Sequence, residues 1–531
     1  MTTLGEFRRA CRKPLRSLGF CSKDYSLSEL GSLFQRVANH TRDTAKLETT
    51  LALLEWDDHT YLPSGAAAYR AEQVTFISGL IHQRRTTAPL GQWLEELGQS
   101  DLARDRSTRE GASIAGWLRD YRRQIRLPQS LVEATARATS LGQQAWVAAR
   151  KADRWSDFRP HLTEIINLRR QEAQLLADDG RLYDALIDQY EEGARTEELT
   201  VMFAELRDEL VTLLRELQTS IDRPSGRSWR QMIPLPQQRE ASRWIASHIG
   251  YDFQRGRLDE TAHPFCTTLG PNDCRILTRY HEENFPSGFY STLHEAGHGL
   301  YEQGLPVDWF GLPPGSAASL GVHESQSRLW ENFIGRSAPF WRWCFPKLKE
   351  KFGSAWNELD AMQLFRDANL VEPSLVRVEA DEVTYNLHIL IRFELEQELI
   401  TGQLSVDDAP QAWNDRYERY LGIKPHNASD GILQDVHWSA GLVGYFPTYT
   451  LGNLYAAQLM EAARSELGDL DKAFEKGDFQ VLLTWLRDKI HREGRCLPPD
   501  QLIQQTTGKR LSAQPLVAYL REKLVVAYGM V

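Results

Sequence analysis

The feature that most constrains this chain is its period. From about Ser26 to Asp222 apolar residues return every three or four positions, as in "LGSLFQRVANHTRDTAKLETTLALLEW" (30–56) and "DELVTLLRELQTSID" (208–222). That spacing lays one apolar stripe along an α-helix. Polar, Arg-rich helices such as "RSTREGASIAGWLRDYRRQIR" lie between them. No self-similar period of 20–50 residues marks a solenoid, and alternating β-branched runs are few. A 531-residue chain has ample length to bury a large core. The loop-like "RPSGRSWRQMIPLP" (223–236) separates two helical blocks. After it come the best strand candidates, "PFCTTL" (264–269) and "CRILTRY" (274–280), joined by the turn "GPND". Helices then resume; one is expected from near Val378 to a C-cap at Gly402. The fold class is therefore mainly α, with a minor β element beside residues 291–304.

Those residues read "STLHEAGHGLYEQG". Positions four apart on a helix differ by about 40° around the axis. His294 and His298 thus leave one face, one turn apart, aimed at one point, the spacing that two imidazole ligands of a divalent metal need. Glu295, displaced around the axis, is placed to act on a water rather than to ligate. Ala296 and Gly297 leave room for a neighbouring backbone. The plainer reading is a buried helix with two hydrogen-bonded histidines. A third ligand would decide. Position 304, where a continued zinc motif has His, is Gly304. Glu302 fails, because residues 294, 298 and 302 spread over about 12 Å of one helix. The ligand must come from elsewhere, and "GVHESQSRLWENFIG" (321–335) offers Glu324, with His323 as competitor.

Charge and cysteine narrow the partners. A net charge of −10 argues against a nucleic-acid surface, which needs a basic face. The six cysteines form no CxxC pair, so a disulfide framework is not expected and a reducing cytoplasm fits. No apolar run reaches about 18 residues, so no membrane span is expected. Residues 1–25 are a basic extension; an organelle-targeting peptide can look like this, but a frayed tail is the plainer reading. Residues 26–531 are read as a single catalytic domain.

Taken in order, the chain shows "WDDHTYLPSG" (56–65), "HPF" (263–265), "HEAGH" (294–298), "HESQ" (323–326), "VRVEAD" (376–381), "GILQDVHW" (431–438) and "GYFPTYTLGNLYAAQ" (444–458). This succession resembles the carboxypeptidase Taq family of metallocarboxypeptidases, from about Ser26 to the C-terminus. The resemblance implies an almost wholly helical fold, two halves around a deep active-site groove, and a small sheet near the metal. It implies one divalent metal, zinc first, with cobalt or manganese able to substitute, held by His294, His298 and Glu324. It also implies a homodimer that removes single residues of broad type from peptide C-termini. One departure shows: the family's Asp-x-Arg-x-Thr element here reads "DCRIL", with Leu277 where Thr is usual. Thr278 is the nearest hydroxyl that could replace it.

Within that frame Glu295 is the general base. His437 and Tyr445 are the donors to the carbonyl oxygen that becomes charged. His437 as a core residue beside Trp438 is the plain alternative, and Tyr449 competes with Tyr445. An exopeptidase must grip a free carboxylate, for which a planar guanidinium is suited. Arg377 is the first candidate and Arg275 the second. Arg377 could instead pair with Glu379 or Asp381, which could also cap a helix, and Asp435 could brace a ligand histidine. Two rival readings stand beside this one: an endo-acting oligopeptidase, and a helical scaffold with a structural metal.

Overall fold

The structure, a computed structural model, describes residues 27–530; the basic extension lies outside the described residues. The expected helical class is what forms. The first described helix, the long Leu27–Asp58, packs on Ala67–Thr86 and Ala88–Gly98 and touches Arg109–Ile125 through Phe34 and Trp117. Its stripe of Leu33, Phe34, Val37 and Ala38 meets Leu90, Leu94 and Trp117 in a small apolar core of its own. A much larger core takes in the helices that follow.

The helix Glu382–Thr401 runs through the larger core. Leu387, Leu390, Phe393 and Leu395, spread around its circumference, are at most 1% exposed, so it is buried on every side, with Arg392 and Glu396 enclosed among them. Each such side chain adds roughly 1.5–3 kcal/mol of burial. The helix begins later than the expected Val378 because Asp381 caps it, accepting from the backbone N–H of Val383 and Thr384. It ends, as expected, at Gly402 in the left-handed region (φ 82°).

The two expected strands form as β2 (Phe265–Thr268) and β3 (Cys274–Thr278), paired antiparallel. In the turn between them the Leu269 N–H donates to Asp273 O, and Asn272 takes φ 66°. A third strand, β1 (Gly256–Glu260), pairs parallel to β3 on its other edge. Its sequence, "GRLDE", hides the strand because its charges satisfy each other: Arg257 holds both Asp259 carboxylate oxygens at 2.6 Å. The sheet sits against the helix Phe285–Gly304. A Cβ on Gly299 would lie 2.7 Å from the Tyr251 ring and 3.1 Å from Ile276 of β3, so glycine suits this close approach. Among the described residues, no helix is long and apolar enough to cross a membrane.

Candidate metal centre

The helix carrying HEAGH, Phe285–Gly304, starts at Asn284, whose side chain accepts from the Ser287 N–H, with Pro286 in the first turn. The helix carrying HESQ, Leu320–Arg328, is capped by Ser319. Buried Glu191 secures that cap, accepting from the Ser319 hydroxyl, the Gly321 N–H and the Tyr455 hydroxyl. The two helices touch at Gly297, where a Cβ would lie 2.6 Å from Gln326 O and 2.7 Å from Ser327 Cα. From the opposite side Gly452, on the helix Pro447–Leu467, lets Glu324 press in: a Cβ there would stand 2.5 Å from Glu324 Cγ.

This packing gathers three donors. Glu324 Oε2 lies 3.6 Å from His294 Nε2 and 3.5 Å from His298 Nε2, and all three ligand atoms fall within 4.8 Å of one another. A tetrahedral zinc with bonds of about 2.0–2.1 Å holds its ligands about 3.3–3.4 Å apart. Two imidazoles and one carboxylate so spaced fit such an ion. His323 stands elsewhere, its Nδ1 2.5 Å from His298 Nδ1, on the side of that ring facing away from Glu324.

The surrounding groups were not foreseen. Past Arg328 the HESQ helix widens into a π-helical turn, Leu329–Ile334, a form frequent at functional sites. The turn presents Glu331, whose carboxylate lies 2.9 Å from His294 Nδ1. Arg328 donates to Glu324 at 2.7 Å and to Glu331 at 3.3 Å, with its guanidinium 4.2 Å from the Tyr385 ring centre. Arg336 holds the other Glu331 oxygen. Beyond His298, His323 Nε2 is 2.9 Å from Glu302 Oε1, and Glu302 Oε2 accepts from the Thr268 hydroxyl of β2 at 2.8 Å. Glu331 sits seven residues after Glu324, two turns on, and that spacing is the signal that could have revealed it. Glu302, rejected as a ligand, acts one layer out.

Burial works to raise Glu324 and Glu331, but Arg328 and the histidines outweigh it and hold both below the usual carboxylate range. His298 is pushed down to about 3 by burial and by His323 beside it. Glu295 behaves oppositely: burial, helped by the charges of Glu324 and Glu331, pushes it up to about 7 against the opposing pull of His294 and Arg328. The residue is 6% exposed, and its carboxyl has no hydrogen-bond or ion-pair partner among the described residues.

Of the remaining candidates, His437, Tyr445 and Arg377 gather in an aromatic cluster around Tyr449, and Arg275 is held elsewhere. His437 Nε2 is 3.1 Å from the Tyr449 hydroxyl, while its buried Nδ1 has no hydrogen-bond partner. Burial pushes His437 down to about 3. Tyr445 packs against both His437 and Tyr449 at ring distances of 5.5 and 5.4 Å. Arg377 pairs with Asp435, not with Glu379 or Asp381 as weighed from sequence; its Nη1 donates to the Tyr385 hydroxyl at 3.3 Å. Asp435 therefore braces no ligand histidine: its oxygens hold Arg377 and fully buried Arg392. Arg275 is gripped by both oxygens of Asp273 and lies over the Trp56 ring at 4.2 Å. Leu277 is fully buried, and the Thr278 hydroxyl donates to Gly288 O of the HEAGH helix.

Comparison with known proteins agrees with this architecture. The model of the carboxypeptidase Taq (M32) metallopeptidase family matches residues 36–524. Thermostable carboxypeptidase 1 of Thermus thermophilus is 44% identical over 505 residues, covering 93% of this chain and 99% of the relative. Carboxypeptidase 1 of Bacillus subtilis is 35% identical over 497 residues, covering 93% and 97%. The crystal structure of the M32 carboxypeptidase from Deinococcus radiodurans R1 superposes with a TM-score of 0.91 at 38% identity, covering 94% of this chain and 100% of that one.

Proposed function

Because this chain belongs to the carboxypeptidase Taq (M32) family of metallopeptidases, and is thus a metallocarboxypeptidase, we propose that it releases single amino acids of broad type from free peptide C-termini. The observation that carries the catalytic assignment is the position of Glu295. A buried, partnerless carboxyl stands next in sequence to one of three converging metal donors. A purely structural metal has no use for such a group and generally takes four protein ligands.

In this reading His294, His298 and Glu324 hold one divalent cation, zinc by its donor set. The cation supplies Lewis acidity toward water and the scissile carbonyl. Glu295 takes the proton of the attacking water and delivers it to the leaving amine. His437 and Tyr445 donate toward the carbonyl oxygen as charge builds. Arg377 receives the substrate carboxylate. Support comes from the charge balance around it: Arg377 and Arg392 share the single carboxylate of Asp435, which leaves positive charge in a buried place. Arg275, already saturated by Asp273, has the weaker claim. The proposal extends to residues 26–531 as one catalytic unit and to a cytoplasmic homodimer, a mass that light scattering reads directly.

The test compares one peptide with a free and with an amidated C-terminus, with and without chelator, reading products by mass. Stepwise loss of single residues from the free peptide alone is expected. Glu295→Gln should abolish it while zinc stays bound. Internal fragments from the amidated peptide would establish an endo-acting enzyme instead.

A further inference from the structure

The two imidazoles at the centre are braced differently. His294 faces a carboxylate directly, Nδ1 to Glu331 at 2.9 Å. His298 faces another imidazole, with the carboxylate of Glu302 one ring further out. The proton positions along this second path follow from donor and acceptor inventory. An ionised carboxylate only accepts, and a neutral imidazole has one N–H and one lone pair. Glu302 accepts the Thr268 hydroxyl on Oε2 and meets His323 Nε2 with Oε1. The His323 proton must then sit on Nε2, leaving its Nδ1 as an acceptor 2.5 Å from His298 Nδ1. His298 must donate from Nδ1, which leaves its lone pair on Nε2, the atom facing Glu324.

We propose that His323 and Glu302 are positioning residues which, anchored by Thr268 on β2, fix the tautomer and ring orientation of His298 for metal binding. The proposal rests on His294, His298 and Glu324 being the metal ligands. On the Nδ1 side of His298, His323 is the one hydrogen-bond partner among the described residues, with 4.5 Å between ring centres; His294 meets the ring edge-on, and Glu324 faces Nε2 as a fellow ligand. The three members of the path are 15–20% exposed, so water competes little.

The test is zinc titration of the apo-protein against a chromogenic chelator, with circular dichroism and melting of the apo form as folding controls. His323→Phe removes the acceptor and should weaken zinc binding about 10–100-fold, the range for such outer partners. His323→Gln offers a carbonyl oxygen to His298 and should restore most of that loss. Glu302→Gln keeps the shape and should also weaken binding, so it carries the test if His323→Phe does not fold. Because the path is serial, adding Glu302→Gln to His323→Phe should change nothing further, whereas adding Glu331→Gln should multiply the loss. Folded His323→Phe and Glu302→Gln proteins that bind zinc as the wild type does would overturn the proposal, as would independent, multiplying effects of the pair. Wild-type protein that takes up no zinc, or uptake unaffected by Glu324→Ala, would instead defeat the ligand assignment and take the relay down with it.

Discussion

Adding one methyl group at Gly297 probes how the two ligand-bearing helices meet. A Cβ there would lie 2.6 Å from Gln326 O and 2.7 Å from Ser327 Cα. Both are backbone atoms, so no rotamer change can relieve the clash. An ordinary contact of 3.4 Å leaves a shortfall of about 0.8 Å that the HESQ helix must yield. Glu324 rides on that helix two residues before Gln326. If the helix retreats as a body, the 3.5 and 3.6 Å spans from Glu324 Oε2 to the imidazoles grow to about 4.3 Å. That is about 1 Å beyond the spacing of a tetrahedral zinc, so Glu324 would have to be drawn back, at a cost in affinity, to close its bond. Overpacking costs about 1–3 kcal/mol, partly offset by about 1 kcal/mol of better helix propensity. Gly297→Ala should therefore melt within a few degrees of wild type yet bind zinc at least about 10-fold more weakly. Its kcat/KM on a free-C-terminal peptide should fall by about 100-fold, the cost of a misplacement near 1 Å. Calorimetry of the apo form, zinc competition and initial rates separate these effects. Wild-type zinc affinity in a variant with an unchanged melting point would show that the helices can part without disturbing the donors, and the reasoning would fail.

Other outcomes follow from the same geometry. Arg328 neutralises both Glu324 and Glu331, so Arg328→Met should destabilise the apo-protein by roughly 3–5 kcal/mol, the cost of leaving buried charge unpaired; zinc should recover part of it, and equal loss with and without zinc would contradict this. Chelation should lower Tm without unfolding the chain, since both apolar cores are built of side chains other than the metal's ligands; zinc at 1,000 times its Kd is worth about 4 kcal/mol, and a scan that is blind to zinc would refute it. Burial pushes Glu396 up to about 7 from an ordinary 4.5. The folded state therefore holds a proton that the unfolded chain releases first. This contribution is complete below about 4.5 and is lost as pH rises through about 7, at most about 3 kcal/mol. Glu396→Gln should flatten that part of the stability profile, and a Tm gap between variant and wild type that stays constant from pH 5 to 8 would rule it out.

Local patterns were legible in the sequence; contacts between distant segments were not. The helical period, the HEAGH spacing, the β2–β3 turn and the Gly402 cap are each written within a few neighbouring residues. Strand β1 escaped because it draws its order from pairing with β3 and its charged residues satisfy each other. The start of the Glu382–Thr401 helix was misplaced by four residues because the capping role of Asp381 competes with an equally plausible earlier start. Glu324 and His323 could not be separated by spacing, since adjacent helical residues differ by about 100° and only the position of the facing helix tells which one points inward. The pairing of Arg377 with Asp435 joins positions 58 residues apart, and no period carries that. Glu331 was the avoidable omission, at two turns' distance from Glu324 on a helix already in view.

The widened turn at Leu329–Ile334 makes this segment unusually tolerant of losing one residue. A π-helical turn accommodates one more residue than regular winding over the same span needs. Excising one would let the backbone relax to an ordinary α turn and leave the helix downstream nearly in its present phase. What would be lost is the bulge itself, and with it the approach of Glu331 to His294. Diversification of this enzyme by a one-residue deletion here should thus spare the fold and fall on the brace of that imidazole.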